Sequence, residues 1–248
     1  MSEQIKLSKI STRAPKGIDK DETKGKTLAI LQELDELQNL MFAERKHALL
    51  VVIQGMDASG KDGLIKDVFG SLNPQGVKVQ SFKTPTEEEA AHDFLWRIHK
   101  NTPEKGMIQL FNRSHYEDVL ITRVHGWCDD KTAKRRIDAI NNFEQLLEEN
   151  ATHVIKLYLH VSHEEQRKRL EERLEIPRKM WKYNQSDLAE SELWEAYMKY
   201  YETVFKKCDS VPWHIIPADQ NWYKSYLVAT IIRDTLRAFK MEYPELKE

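Results

Sequence analysis

The apolar residues of this chain alternate between helical spacing and short continuous runs. One set recurs at intervals of three and four residues, the spacing of a helix face: Ile30, Leu34, Leu37 and Met41. The next apolar run, 49–53 (LLVVI), is rich in β-branched residues and predicts a strand buried on both faces of a parallel sheet. Residues 1–23 show no apolar period and predict an irregular N-terminal arm.

The rest of the chain repeats this alternation of strand and helix. Runs of the strand type lie at 77–82, 107–111, 153–161 and 213–216. Helical segments are predicted at 86–100, 129–150, from about 162, at 188–206 and at 220–240, with a less regular stretch at 175–187. Five strands separated by helices predict a three-layer α/β/α fold with a parallel sheet, because a helix normally makes each parallel crossover. No repeat or linker divides the chain, so we expect a single domain over residues 24–248.

The charge composition narrows the class of partner. The chain of 248 residues has 38 Lys and Arg against 40 Asp and Glu, a formal net charge of -2. A general nucleic-acid binder usually carries a large basic excess, so we expect no nucleic-acid partner. Any polyanion must therefore be met by cations concentrated in one place.

The cysteine content and the hydropathy favour the cytoplasm. Cys128 and Cys208 form no CxxC pair, which argues against a disulfide framework or a thiolate metal cluster and fits a reducing cytosol. The N-terminal segment lacks the apolar run of a signal sequence, and the longest aliphatic run, 48–53, is far below the roughly 20 residues of a membrane helix. We expect a soluble cytoplasmic protein without a membrane partner.

A glycine-rich motif stands directly after the first predicted strand. Residues 55–63 read GMDASGKDG and match GxxxxGK at a junction of strand and helix. Glycines let backbone N–H groups turn toward a phosphate, the following helix presents its positive end, and Lys61 adds a cation. The alternative is a tight turn with an exposed lysine. We expect phosphate contacts from the other loop residues as well: Gly55, Met56, Ala58, Ser59, Gly60, Asp62 and Gly63.

The position after the lysine departs from the usual motif. Asp62 stands where a Ser or Thr hydroxyl would ligate Mg²⁺. Asp57 is then the leading candidate for the metal ligand, because Mg²⁺ commonly uses one or two carboxylates together with substrate oxygens. A turn-stabilising side chain is the alternative for Asp57. Mg²⁺ is the cofactor that the loop predicts.

A second polar cluster, 112–118 (NRSHYED), follows the third predicted strand, where ligands of open α/β sheets bind. Many kinases that phosphorylate a hydroxyl have an acidic residue there, whereas this chain has Asn112. An acceptor that is already an ionised phosphate needs no general base, but it needs positioning and charge neutralisation. Arg113 suits that task. Its alternative is a structural pair with Glu117 four residues later.

Basic residues are concentrated again at 164–182: Arg167, Lys168, Arg169, Arg173, Arg178, Lys179 and Lys182. Arg169 and Arg173 lie four residues apart and therefore project from one helical face. Such a segment can close over bound phosphates and exclude water. A solvated helix with Glu to Arg pairs is the alternative. The position of this basic segment after the fourth strand of a P-loop protein favours a helical lid at about 164–187.

These motifs together resemble the second family of polyphosphate kinases. The resemblance spans most of residues 25–240 and includes SFKTPT at 81–86, FNRSHYEDVL at 111–120 and DDKTAKRRI at 129–137. The form with Asn112 is similar to the third subgroup, whose members phosphorylate nucleoside monophosphates and diphosphates. The resemblance implies a P-loop kinase-like fold, inorganic polyphosphate as donor and adenine nucleotides as acceptors, with guanine nucleotides as a further class. We also expect a homo-oligomer, a dimer or a tetramer.

The resemblance also implies a catalytic set. Asp57 matches the loop aspartate that helps to hold magnesium, and Lys61 matches the phosphate-binding lysine. Arg113 and Arg173 match arginines that bind the transferring phosphates. Glu117 is a candidate for setting the acceptor range. Further phosphate or nucleotide contacts are expected from Lys83, Asn112, Arg123, Arg169, Arg178, Lys179 and Lys182.

Two other functions stay open on the sequence alone. An ATP-dependent nucleoside or nucleoside monophosphate kinase would share the loop and the lid but would ignore polyphosphate. A nucleotide-binding switch or regulatory ATPase would bind nucleotide without transferring phosphate to an acceptor. The guanine-reading motif N/TKxD does not occur in the sequence, and the DxxG at 57–60 lies inside the loop itself.

Overall fold

The computed structural model describes residues 5–245, which contain a five-stranded parallel sheet. The strands are β1 (Ala48–Gln54), β2 (Val77–Ser81), β3 (Ile108–Asn112), β4 (Thr152–His160) and β5 (Trp213–Pro217). Their order in the sheet is β2-β3-β1-β4-β5. The predicted α/β fold and its five strands are therefore confirmed.

Helices connect the strands. Residues 5–245 contain the α-helices α1 (Lys20–Glu44), α2 (Lys61–Phe69), α3 (Glu87–Ala90), α4 (Trp96–His99), α5 (Ile121–Val124), α6 (Asp130–Glu149), α7 (His163–Glu175), α8 (Pro177–Met180), α9 (Ser186–Glu192), α10 (Trp194–Lys207) and α11 (Asn221–Ala238). Short 3-10 helices lie at Leu7–Lys9 and His115–Val119. None of the helices in this part of the chain is long and apolar enough to cross a membrane.

The helices form layers on both faces of the sheet. From β1 the chain crosses through α2 to β2, whereas from β3 it crosses in the opposite direction through α6 to β4. Because parallel crossovers are right-handed, α2 and α6 lie on opposite faces. Helix α11 packs on both α1 and α2. Every residue of β1 is buried, as expected of a central strand covered on two sides.

Two predicted helices are interrupted in the structure. The segment 86–100 forms α3 and α4 instead of one helix. The Asp93 carboxylate accepts the N–H of Leu95 (3.0 Å), a local bond that competes with helical pairing. The segment 188–206 is divided at Leu193 between α9 and α10, and the stretch 175–187 contains the short helix α8.

The N-terminal segment packs on the folded core. Leu7 is buried, and its N–H donates to Glu202 (2.8 Å). The Thr12 hydroxyl donates to Asp219 (2.8 Å). Helix α1 begins at Lys20, inside the segment expected to be irregular, because the Asp19 carboxylate caps the first turn. Residues 1–4 of the expected arm lie outside the described residues.

Candidate active site

The glycine-rich loop lies between the carboxyl end of β1 and the first residue of α2. Gly60 caps α2 with a φ of 94°, a left-handed conformation that glycine adopts without a steric penalty. The positive end of α2 therefore faces the loop, as a phosphate site requires. Ser59 is fully buried, and its hydroxyl has no hydrogen-bond partner within residues 5–245. Such an orphaned polar group is rare and is consistent with a ligand that completes it.

Lys61 folds back onto its own loop. Its Nζ donates to the carbonyl oxygens of Gly55 (2.7 Å) and Met56 (3.1 Å). The side chain is buried, and this burial, partly offset by the charge of Asp57, lowers the pKa of Lys61 to about 8. A buried amine that is bonded only to neutral carbonyls is suited to exchange them for phosphate oxygens.

Arg113 lies beside the loop because β3 is the neighbour of β1. Ile53 of β1 is in register with Asn112 of β3, and the next N–H, that of Arg113, donates to the Ile53 carbonyl (3.1 Å). Arg113 adopts a left-handed backbone with a φ of 64°, which is strained for a residue with a Cβ atom. Its guanidinium forms an ion pair with Asp57.

Two carboxylates of the site have opposite pKa shifts. Burial alone would raise the pKa of Asp57, but the nearby charges of Lys61 and Arg113 outweigh it, so the pKa is lowered. The pKa of Glu117 is raised because burial outweighs the attraction of the same two cations. Asp57 is therefore ionised at neutral pH and available as an oxygen ligand, whereas Glu117 is the more easily protonated carboxyl.

The lid touches the loop directly. Lys182 Nζ lies 2.5 Å from a carboxylate oxygen of Asp62, and the amide of Asn112 donates to the other oxygen (2.9 Å). Arg173 forms an ion pair with Asp187 at the start of α9. Each of these lid cations is thus neutralised by a carboxylate near the loop.

Sequence reasoning missed Asp187. Burial, followed by the charge of Asp57, raises the pKa of Asp187, with Arg173 acting in the opposite direction. Its side chain is therefore within electrostatic range of the loop. No motif signalled this position, because its role depends on how the segment 175–187 folds back over the sheet.

Arg169 lies on the outer side of the loop. Its guanidinium donates to the carbonyls of Ala58 and Ser59 (3.2 Å each) and also to those of Ala218 and Asp219. It is bonded to carbonyl groups of the loop and of the segment 218–219. Its expected phosphate contact is therefore replaced in this structure by contacts that support the loop.

The side chains of four other expected phosphate contacts form no hydrogen bond or ion pair with the loop within residues 5–245. Lys179 pairs with Glu172, and Arg178 and Lys83 are exposed. Arg123 pairs with Asp130 (2.6 Å) and lines a separate groove of about 590 Å³ between α6 and α10. The residues that the structure brings together are Asp57, Lys61, Asp62, Asn112, Arg113, Glu117, Arg173 and Lys182.

The donor set fits Mg²⁺ only in combination with a substrate. Within residues 5–245, no group of three or more His, Cys, Asp or Glu side chains could hold a metal ion by itself. Asp57 offers one hard carboxylate. Mg²⁺ is commonly held in this way, by one or two carboxylates plus phosphate oxygens and water.

A phosphate-binding loop, an arginine at the end of the adjacent strand and a cationic lid define the chain as a P-loop phosphotransferase. Within that class the chain belongs to the polyphosphate kinase 2 family, whose family model matches residues 17–246. The family resemblance read from the motifs is therefore confirmed.

Relatives of known name support this placement over nearly the whole chain. An AMP/ADP-polyphosphate phosphotransferase from Meiothermus ruber is 46% identical over 221 residues, which are 88% of this chain and 83% of that protein. An ADP-polyphosphate phosphotransferase from Rhodopseudomonas palustris is 42% identical over 87% of this chain and 79% of its own length. The crystal structure of polyphosphate kinase 2 from Arthrobacter aurescens TC1 superimposes with a TM-score of 0.96 at 41% identity. It covers 100% of this chain and 90% of that one.

Proposed function

We propose that the chain transfers the terminal phosphate of inorganic polyphosphate to AMP and to ADP, forming ADP and ATP. The observation that carries the proposal is the convergence of Lys61, Arg113 and Arg173 near one phosphate-binding loop, each cation held by a neutral or anionic protein group that phosphate can replace. The names of the relatives supply the donor and the acceptors.

The ion pairs of the site are substitutes for substrate contacts. Arg113 is held by Asp57, Arg173 by Asp187 and Lys182 by Asp62. When two phosphate chains enter, their oxygens take the place of these carboxylates. The cations then neutralise the repulsion between donor and acceptor and hold them in line, which is most of what phosphoryl transfer requires from a protein.

The site needs no general base for this reaction. Asn112 stands at the end of β3 and its amide is bonded to Asp62. The attacking group of AMP or ADP is a phosphate oxygen that is already ionised. Positioning and charge neutralisation are therefore sufficient, whereas a hydroxyl acceptor would require a group to take its proton.

Asp57 is the residue that would hold Mg²⁺. Its carboxylate is released for this role when phosphate oxygens take over the guanidinium of Arg113. The bound ion supplies electrostatic stabilisation of phosphate oxygens. Lys61 and Arg113 remain the groups that orient the donor and the acceptor.

A donor comparison tests the proposal. The protein is incubated with Mg²⁺, polyphosphate and either AMP or ADP, and the nucleotides are separated and measured. ADP and ATP are expected only when polyphosphate is present. Product from ATP and a nucleoside or nucleoside monophosphate, with no product from polyphosphate, would overturn the assignment.

Three further parts of the proposal have separate tests. Guanine nucleotides are proposed as a second acceptor class, which GMP and GDP test in the same assay. A homo-oligomer is proposed, and light scattering measures the mass in solution. A cytoplasmic location agrees with two free, buried cysteines and is tested by fractionating cells.

A further inference from the structure

The outer side of the phosphate-binding loop is covered by side-chain donors. Each carbonyl from Gly55 to Gly60 accepts a hydrogen bond from a side chain: Lys61 bonds Gly55 and Met56, Gln166 bonds Asp57, Arg169 bonds Ala58 and Ser59, and Lys224 bonds Gly60. Apart from the Lys61 bonds, which phosphate oxygens can replace, the loop carbonyls are held by side chains of α7 and α11.

These bonds help to fix where the N–H groups of the loop point, together with backbone bonds such as that from the Leu64 N–H to the Gly60 carbonyl (3.0 Å). A peptide unit is planar, so fixing one carbonyl also fixes the direction of the N–H that follows it. The Gly60 carbonyl belongs to the same peptide unit as the N–H of Lys61, the first residue of α2. That N–H is one of the unpaired donors at a helix N-terminus, which bind phosphate.

Lys224 is an unusual group to find behind this peptide. It is only 1% exposed, and its Nζ donates to the Gly60 carbonyl (3.0 Å) and to the Asn221 side-chain oxygen (2.9 Å). No carboxylate of residues 5–245 forms an ion pair with it. Burial, reinforced by the charge of Arg169, lowers the pKa of Lys224 to about 7. Burying an amine without a counter-ion is costly, which indicates that the amine serves a purpose there.

The approach of Lys224 to the loop is close. A Cβ atom at position 60 would collide with the Nζ of Lys224, and it would also meet Arg169 at 3.5 Å. The left-handed backbone favours glycine at position 60, and a larger residue there would also displace the end of the Lys224 side chain. The sequence motif explains the first point, whereas the second appears only when α11 is placed behind the loop.

We propose that Lys224 is a positioning residue for phosphate binding: its amine holds the Gly60 carbonyl and so directs the N–H groups at the start of α2 toward the bound phosphate. Its positive charge adds to the field of the helix end from behind the loop. The inference rests on the proposed phosphate-transfer function of this loop and assigns a supporting role to a residue outside the motif.

The test uses Lys224→Met, which keeps the length of the side chain and removes the donor. Dissociation constants for ADP and for tripolyphosphate are measured by calorimetry on the full-length protein, and folding is checked by urea unfolding. We expect Lys224→Met to weaken both ligands by roughly 10-fold, the typical value of a hydrogen bond to a charged group. Lys224→Gln, a neutral donor, should recover part of the loss. Ser225→Ala, a buried neighbour on the same helix, should bind normally.

A second variant covers the case in which Lys224→Met does not fold. Asn221 is exposed and orients the amine of Lys224, so Asn221→Ala leaves the core intact and should weaken tripolyphosphate by a smaller factor. Wild-type dissociation constants in Lys224→Met or Asn221→Ala would overturn the inference. So would a loss in Lys224→Met that Lys224→Gln does not reduce. Because binding is measured without turnover, the binding result can still be interpreted if the protein does not transfer phosphate from polyphosphate.

Discussion

We expect phosphate binding to depend most directly on Lys61. Replacing it by Ala removes the only side chain of the α2 first turn that bonds the loop carbonyls Gly55 and Met56 within residues 5–245. We expect Lys61→Ala to lower kcat/KM by at least about 100-fold, the usual effect of removing one group that stabilises transition-state charge. The measurement is the initial rate of ATP formation from ADP and polyphosphate.

A matched control lies on the same helix. Lys66 is exposed, so Lys66→Ala removes one positive charge without touching the loop and should keep a nearly normal rate. Near-wild-type turnover in Lys61→Ala would contradict the role of Lys61 in phosphate binding. Arg113→Ala is expected to behave like Lys61→Ala, because it removes the cation that is paired with Asp57.

The rate should also depend on pH in a definite direction. In the free protein, burial lowers the pKa of Lys61 to about 8 and that of Lys224 to about 7. Only the charged amines attract phosphate, so kcat/KM for polyphosphate should fall as the pH rises from about 7 to about 9. Bound phosphate raises both pKa values, so kcat should begin to fall at a higher pH. A kcat/KM that stays constant over this range would contradict the proposed charge states.

At the scale of single residues, the sequence indicated which side chains gather near the loop better than it indicated their backbone geometry and contacts. The loop motif identified Asp57 and Lys61, and the end of β3 identified Arg113. The strained backbone of Arg113 was not predictable, because it depends on the register of β1 with β3. The contacts of Lys224 were not predictable either, because Lys224 lies 164 residues after Gly60, the residue whose carbonyl it bonds.

Among the elements, the lid formed by α7, α8 and the start of α9 has the most direct consequence for turnover. Arg173 is mostly buried and faces Asp187, whereas Arg178 on the neighbouring turn is exposed. We expect Arg173→Ala to lower kcat by about 100-fold, since it removes a cation that neutralises transferring phosphate. Arg178→Ala is the control and should leave kcat nearly unchanged. Equal rates for the two variants would indicate that the segment is a solvated helix without a role in phosphate transfer.

The lid also illustrates where sequence patterns stop being informative. The charge run at 164–182 predicted a cationic segment, but it did not distinguish residues that face the site from those that face solvent. Arg169 turned out to hold the loop backbone, and Lys179 pairs within the lid. The partner of each cation depends on tertiary packing, since Arg169 bonds carbonyls of the loop and Arg173 pairs with Asp187 fourteen residues later.

At the scale of the whole molecule, a buried polar network joins four segments of the chain: β4, α6, the 3-10 helix His115–Val119 and Cys208 after α10. Lys156 of β4 donates to Glu144 of α6 (2.7 Å), to the Tyr116 hydroxyl (2.9 Å) and to the Cys208 carbonyl (2.9 Å). Lys156 and Glu144 are fully buried. Removing one partner of such a pair leaves a charge without compensation, which typically costs about 3–5 kcal/mol.

Urea unfolding measures this cost. Lys156→Met should lower the free energy of unfolding by about 3–5 kcal/mol, and the double variant with Glu144→Leu should recover part of it. Lys78→Met is the control, because the pair of Lys78 with Glu104 is exposed and is worth less than about 1 kcal/mol. A change in Lys156→Met as small as that in Lys78→Met would contradict the structural role of the network.

The global architecture was predictable because its signals are local. Short strand-type runs, of which 49–53 is continuously apolar, located all five strands, and parallel crossovers followed from the helices between them. The breaks at 91–95 and at Leu193 were missed because short polar bonds such as that of Asp93 oppose a helix that composition favours. The formal charge of -2 likewise did not reveal that Lys61, Arg113, Arg173 and Lys182 are gathered near the loop, where carboxylates balance them.

The central claim is direct transfer of phosphate from polyphosphate to a nucleotide. Its most direct test is to incubate the protein with Mg²⁺, unlabelled ADP and polyphosphate labelled uniformly with ³²P, and to measure the label in ATP and in free phosphate. The proposed mechanism predicts that label enters only the terminal phosphate of ATP, in an amount equal to the ATP formed. Label that appears as free phosphate, with none in ATP, would contradict it.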